Sequence, residues 1–484
     1  MKIKLSTLAA SLTLVNLFYA MPAKAAKTTY IPDGYSIKTI STPKDVRFHV
    51  TGMDSNNKGE LFVATRFGDV WRYKKNNWLK VAEGLHEPTG LMCDQDGSII
   101  VAHKPELTRL VDEDGDGVSD RYINMASGWD FHDNYHEFNF APVKDKQGNY
   151  YGTLNLGHGV PDSLSIGAMD TAGGYRGWAY QVNQQGEFVP YAYGLRSPAG
   201  IGISPNNQVF FTDNQGDWVE TSKLHLLKKD AFYGHPVSLR DHPDWTVEKI
   251  LEQKDNFNLF DQMREYPVVW FPHAEVANSP GNPEWNVTKG KFGPFEGQIF
   301  IGDQTQSNIF RVILDEVNGI YQGAVINFID GFQSGNIRTE FDNKGQLWVG
   351  QTARGWYSKG GKPFGLQKVV WDGTNPFEIL SVKMIDGGFK VTLTEAMTKA
   401  SAQKLKVEIT EWGYKYSNRY GSPKEDEKSL PIKSLNVAED GKSLIFTTDL
   451  TERKVIKFKL SGLKDAKGRS PSVPIVYYTV NQVK

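Results

Sequence analysis

The sequence predicts an all-β protein: a six-bladed β-propeller followed by a small C-terminal β-sandwich. Three observations carry this. A polar turn followed by a short aliphatic and aromatic strand recurs six times: DSNNKGELFVAT from Asp54, DQDGSIIVAH from Asp94, DKQGNYYGTL from Asp145, SPNNQVFFTD from Ser204, FEGQIFIGDQ from Phe295 and DNKGQLWVGQ from Asp342. The turn positions, Gly59, Gly97, Gly148, Asn207, Gly297 and Gly345, mostly lie one blade apart, the signature of a repeat architecture. After Asn375-Pro376 the pattern changes to short alternating strands such as Phe389–Leu393 and Val455–Leu460, with turns at Asp386-Gly387 and Lys467-Gly468.

Taken in order, residues 1–25 read as an export signal. Lys2 and Lys4 precede an apolar stretch from Leu5 to Ala20, and Ala23-Lys24-Ala25 is a small-x-small cleavage site. A periplasmic or secreted location follows, and the apolar run is too short and too rich in Ser and Thr for a membrane span. Residues 26–375 carry the repeats. The gap between Asn207 and Gly297 is much longer than the others and holds a charged, helix-like stretch at 247–264. Two readings fit it: an insertion on one face, or a seventh blade hidden inside it. Residues 376–484 read as an Ig-like accessory sandwich, with no cluster of histidines or carboxylates.

Composition excludes several function classes. The single cysteine, Cys93, rules out an intramolecular disulfide, a Cys-x-x-Cys-His haem site and a cysteine zinc site. Lys and Arg number 55 against 56 Asp and Glu, with no basic stripe, which argues against nucleic acid. No Gly-x-Gly-x-x-Gly follows a strand, and there is neither a P-loop nor a Gly-x-Ser-x-Gly elbow.

Candidate chemistry gathers beside the third, fourth and sixth copies, and the first and second are expected to contribute none. Before the third, His132 and His136 lie in GWDFHDNYHEF, with His158 after its strand. A neutral imidazole suits abstraction of a hydroxyl proton, so His136 is the candidate base, with Asn155 positioned to orient it. The His132–His136 spacing also allows a metal pair. In the approach to the fourth copy, Arg196 is placed to steady a developing oxyanion, and Gly216 and Asp217 after its strand could offer carbonyls to calcium. Around the sixth copy, Arg338, Arg354 and Trp356 converge on the same funnel, although Trp356 reads equally as core. Separately, Asp112-EDGDGVSD-Asp120 alternates carboxylates at Asp112, Asp114 and Asp116, then closes with Asp120. It matches the first half of a calcium loop, but Ile123 stands where the distal Glu would be.

With these residues in view, the chain resembles the soluble quinoprotein glucose/sorbosone dehydrogenase-like propellers over most of residues 32–371. Pro32-Asp-Gly-Tyr-Ser-Ile is similar to the opening strand of that family, and His136 with Tyr150-Tyr151 to its catalytic-base blade. Asn155 falls where the family has an aspartate partner of the base. Tyr193-Gly-Leu-Arg-Ser-Pro-Ala-Gly resembles its Gly-x-Arg-Asn-Pro-x-Gly motif, Asn214-Gln-Gly-Asp its calcium turn and Phe232-Tyr-Gly-His-Pro its Asn-Tyr-Gly-Trp-Pro, while Arg338 is similar to one of a pair of arginines. The resemblance implies pyrroloquinoline quinone (PQQ) and calcium as cofactors, with Arg196, Gly216, Asp217, Arg338, Arg354 and Trp356 around them. Three positions depart from it: Thr305 replaces a quinone-binding lysine, Asn336 the first arginine of the pair, and Ser197 the asparagine after Arg196.

The leading expectation is an exported dehydrogenase of a sugar or related alcohol, with His136 as base and Arg196 and Arg338 assisting, that passes electrons to an external acceptor. Two alternatives stand beside it: a quinone-free lyase or hydrolase on an acidic carbohydrate, and a non-catalytic glycan-binding protein.

Overall fold

The computed structural model describes residues 29–484. The expected export signal lies outside them. Six four-stranded antiparallel units are present among the described residues. The first runs Val50–Ser55, Leu61–Thr65, Val70–Lys74 and Asn77–Ala82, and the second Gly90–Cys93, Ile99–Ala102, Leu107–Val111 and Arg121–Ala126. The third runs Asn139–Lys144, Tyr150–Leu154, Trp178–Val182 and Phe188–Tyr193, and the fourth Gly200–Ile203, Val209–Asp213, Ser222–Leu226 and Val269–Phe271. The fifth runs Glu284–Trp285, Ile299–Asp303, Asn308–Val317 and Ile320–Ile329. The sixth takes three strands, Asn336–Phe341, Leu347–Thr352 and Phe364–Trp371, from the end of the repeats and its outer strand, Tyr35–Thr39, from their beginning. First strands neighbour one another in order, and the sixth returns to the first, which is the arrangement of a β-propeller.

Every copy of the sequence repeat forms the hairpin between the first and second strands of its blade. The turn residues have left-handed backbones, with φ between 65° at Asn207 and 91° at Gly148. This explains why Gly or Asn recurs there. Close approach at the axis also requires glycine: a Cβ on Gly90 would lie 1.5 Å from the Ala141 carbonyl oxygen.

The long gap contains no seventh blade. It is an insertion between the third and fourth strands of blade 4, built of a 3₁₀ turn (Pro236–Asp241) and two short helices, Val247–Gln253 and Phe257–Met263. Thr246 and Asn256 cap the helices by accepting from the amides of Lys249 and Leu259, each at 3.2 Å. Its apolar residues, among them Val237, Ile250 and Phe260, pack with Trp218 and Tyr416.

Residues beyond 376 form a sheet of Ile379–Ile385, Gly388–Leu393, Ser443–Thr447 and Ser434–Val437, and a second set of Ile475–Val480, Lys454–Ser461, Lys406–Gly413 and Glu425–Leu430. Both face one apolar core that includes Phe389, Phe446, Phe458 and Tyr478. The second set is continuous with blade 5: Gly323, Ala324 and Val325 pair with Thr479, Tyr478 and Tyr477, giving one eight-stranded sheet. No described helix is long and apolar enough to cross a membrane.

Candidate functional site

One end of the axial channel opens into a cavity of about 530 Å³ lined by His136, Asn155, Arg196, Arg354 and Trp356 among others. These residues, all expected to carry chemistry, therefore meet in one place. Five of the six blades contribute a residue that follows the second strand: Arg66 in blade 1, Asn155 in blade 3, Asn214 and Gln215 in blade 4, Gln304 in blade 5 and Arg354 in blade 6. Segments leading into the first strands, with His136 and Arg196, supply much of the rest. The repeat that makes the fold thus also delivers the site. Reading one residue past the first copy would have found Arg66, so the expectation that this copy contributes nothing is corrected.

His136 is partly buried in the loop before the first strand of blade 3. Its ring stands edge-on to Tyr135 and His158, each at 4.8 Å between centroids, and to Trp356 at 6.1 Å. Its Nδ1 is buried with no partner. Burial, and then the charges of His158, Arg196 and Arg66, push the imidazole down to about 3, so the ring is neutral. Asn155 does not orient it. Its side-chain amide donates to Ser197 Oγ at 3.1 Å, and its Oδ1 is left unpartnered. His132 bonds Glu137 Oε1 at 3.2 Å, and His158 bonds the Ala168 carbonyl at 2.8 Å. Among the described residues, neither His132 nor His136 belongs to a group of three or more candidate metal ligands.

Arg196 is held on three sides. Its Nε donates to Asp217 Oδ1 at 2.8 Å, its Nη1 reaches the Gln215 carbonyl at 3.3 Å, and the Tyr420 ring lies 5.3 Å from the guanidinium carbon. The guanidinium lies flat against Gly216, where a Cβ would come within 1.9 Å of it. Asp217 is buried. It also bonds His235 Nε2 and the Met169 amide, each at 3.0 Å. Burial alone would raise its carboxyl, but the bond to His235 and the charges of His235 and Arg196 outweigh that and hold it well below the usual range.

These contacts bear on the calcium expectation. The Gly216 carbonyl already accepts from Gly421 N at 2.8 Å and Val219 N at 3.2 Å. The Asp217 backbone is engaged in a bridge to Tyr420, and its carboxylate is committed to Arg196 and His235. No carboxylate lines the funnel among the described residues. The donor set does not fit a calcium ion there. An anionic ring-shaped group is different. Arg196 and Arg354 lie at the wall, and Arg354 Nε is buried without a partner; Asn214 Oδ1 and Asn155 Oδ1 are unpartnered acceptors and add nothing for an anion. These two guanidiniums fit an anionic quinone, and both belong to the residues the resemblance implies, whereas Arg338, Gly216 and Asp217 do not join them.

Arg338 is corrected from a site residue to an axial plug. It is buried, and its guanidinium donates to the carbonyls of Thr51 (2.8 Å), Ala199 (2.9 Å), Ile337 (2.7 Å) and Thr89 (2.7 Å). It thereby ties blades 1, 2, 4 and 6 together, with Phe140 of blade 3 packed against it at 4.9 Å. Burial pulls it down to about 9. Asn336 and Thr305 offer no replacement cation: Asn336 is buried and bonded to Asn308 and Gln351, and Thr305 reaches only Ser279 Oγ, at 3.4 Å.

Arg354 lies over the Phe67 ring at 4.7 Å and has no ion pair among the described residues. Trp356 is 44% exposed at the mouth rather than core. Tyr420, also at the mouth, comes from the C-terminal region and carries no signal in the repeats. Far from the funnel, in the outer hairpin of blade 2, the carboxylates of Asp112, Asp114 and Asp116 come within 4.8 Å of one another. Asp120 does not join them; it accepts from the amides of Glu113 and Asp114.

Comparisons with known proteins agree with the architecture. A family model described as a domain of unknown function (DUF7133) matches residues 79–277, less than half of the chain. No curated protein matches. Among solved structures, a putative oxidoreductase (glucose dehydrogenase) from Thermus thermophilus is 16% identical, with a TM-score of 0.50 over 70% of this chain and 100% of that one. The PQQ-bound aldose sugar dehydrogenase of Streptomyces coelicolor is 13% identical (TM-score 0.49; 70% and 99% covered), and a Trichoderma reesei AA12 carbohydrate-active enzyme 12% (0.48; 72% and 100%). The chain shares its fold with the Thermus thermophilus protein. At these identities the likeness speaks for the fold alone.

Proposed function

We propose that this protein is an exported dehydrogenase of the quinoprotein type that oxidises a sugar or related alcohol in the blade-end funnel. The observation that carries the reading is His136: a neutral imidazole in a cavity lined by Arg196, Arg66 and Arg354. Arg196 would hold PQQ, with Asn155 and Asn214 beside it. When bound, that group supplies a two-electron acceptor, and electrons then leave to an external acceptor.

The chain's own part is proton handling and orientation. The neutral imidazole of His136 takes the substrate hydroxyl proton through Nε2, the ring nitrogen that is not buried. The resulting imidazolium is unfavourable in so positive a pocket, so an anion bound against Arg196 raises the basicity of His136 when the ligand arrives. Asp217 and His235 keep Arg196 in place, and Asn155 and Asn214 offer oxygens to hydroxyl donors. The region after 376 acts as an accessory brace on blade 5, and residues 1–25 direct export. Calcium is proposed only for the Asp112–Asp116 loop, away from the reaction.

Titration of the purified protein with PQQ, followed by absorbance, and dye reduction over a sugar panel test this. Saturable binding and turnover are expected. Absence of quinone binding contradicts the reading. A second reading, elimination or hydrolysis on an acidic sugar without quinone, is favoured by the lack of cations at Thr305 and Asn336. Release of an unsaturated, ultraviolet-absorbing product from polyuronates would establish it.

A further inference from the structure

The mouth of the funnel has a feature that a monosaccharide site does not need. Three exposed aromatics line it: Tyr135 (40% exposed), Trp356 (44%) and Tyr420 (57%). Tyr420 reaches it from the C-terminal region on a loop pinned to the blade 4 rim. Gly421 N donates to the Gly216 carbonyl at 2.8 Å, Ser422 N to Glu220 O at 2.8 Å, and Trp218 N to Ser417 O at 3.1 Å. Tyr416, in the same loop, is buried against Trp218 and bonds the Gly234 carbonyl. The platform is therefore fixed while its aromatic face stays open, an arrangement with little stability to gain from exposure and much to gain from a stacked ligand.

Arg66 and Arg196 at the funnel wall are paired with Glu87 and Asp217, at 3.0 and 2.8 Å, but two arginines beside the mouth are not so paired. Phe67 is flanked by Arg47 at 3.9 Å and Arg354 at 4.7 Å, and neither arginine has a carboxylate partner among the described residues. His49, beside them, registers the same field: burial, then Arg354, Arg47 and Arg66, push it down to about 4.

We propose that the substrate is an acidic oligosaccharide rather than a free sugar. Its terminal ring enters the funnel, a following ring stacks on Tyr420, and a carboxylate is met by Arg354. This rests on the funnel being the carbohydrate site proposed above, and it makes the C-terminal region a determinant of substrate length.

The test is titration calorimetry of the full chain with galacturonate, trigalacturonate and maltotriose, with and without PQQ. The trimer should bind about tenfold more tightly than galacturonate and than maltotriose. Tyr420→Ala should abolish the gain from length and Tyr420→Phe should keep it, while Arg354→Gln should abolish the preference for the acidic trimer. Equal affinity for monomer and trimer, or a Tyr420→Ala variant that weakens only PQQ binding, overturns the proposal. Because binding is read without turnover, failure of the quinone reading shows separately as absent PQQ binding.

Discussion

The channel through this propeller has two mouths, separated by Arg338, and they use charge in opposite ways. The funnel end is lined by arginines and histidines with no carboxylate among the described residues, and several of its buried polar atoms have no partner. The other end is a cavity of about 630 Å³ that includes Asp54, Glu284 and Glu340 in its lining. Burial pushes Asp54 up to about 6, and burial with repulsion from Asp54 pushes Glu284 up to about 8 and Glu340 well above the carboxylate range. Asp54 is nonetheless satisfied by the amides of Ser55 and Cys93, and Glu340 by Ser55 Oγ. One mouth keeps unspent hydrogen-bonding capacity, whereas the other uses it internally. Arg196 and Arg338 show the same contrast: one lies at a cavity wall, the other gives its donors to four carbonyls. An arginine in a propeller channel is thus assigned by what its donors already hold.

This contrast can be broken by substitution. His136→Asn at the open mouth should lower turnover by about 10²–10⁴-fold with an unchanged thermal midpoint, measured by dye reduction beside calorimetry. Arg338→Met should cost about 3–5 kcal/mol in denaturant unfolding, because four buried carbonyls lose their donor, whereas Arg354→Met should cost less than about 0.5 kcal/mol. Similar small losses for both would mean that Arg338 is no plug.

The two mouths should also respond oppositely to pH. His136 and His49 have folded values near 3 and 4, below the unfolded 6.5. The unfolded chain therefore binds more protons between those limits, and their contribution costs stability as pH falls from about 6.5 towards 4. The carboxylates have raised values. Their protonated forms favour the fold below about pH 4, and this contribution is lost as pH rises through about 6 to 8. Glu340→Gln should flatten the alkaline side and His49→Gln the acid side, each by roughly 1–2 kcal/mol in unfolding free energy. The smallest effect concerns a loop outside both mouths: calcium should raise the melting midpoint by roughly 1–2 °C, and Asp114→Asn should remove that shift.

Much of the fold was legible because a left-handed turn residue leaves a mark in sequence. Gly59, Gly97, Gly148, Asn207, Gly297 and Gly345 all stand at the first hairpin of a blade. The outer strand of blade 4 was not legible, since three residues, Val269–Phe271, after two helices carry no periodicity. At the site, the cluster of His136, Arg196, Arg354 and Trp356 was readable from position beside the repeats. The role of Arg338 was not, because only the folded axis brings Thr51, Thr89 and Ala199 to it. Tyr420 was invisible for a related reason: it lies on the loop between Lys406–Gly413 and Glu425–Leu430, at the far edge of the sheet shared with blade 5 and well past the last blade in sequence.

The central claim is that the funnel is a positively charged pocket whose neutral histidine becomes a base when an anion binds. Nitrogen-15 NMR of histidine-labelled protein, with His136→Asn to assign the resonance, measures this directly. His136 should titrate near 3 in the free protein and move up by at least about one unit with saturating PQQ or trigalacturonate. A His136 that titrates near 6.5 in the free protein and does not move on ligand addition would contradict the account.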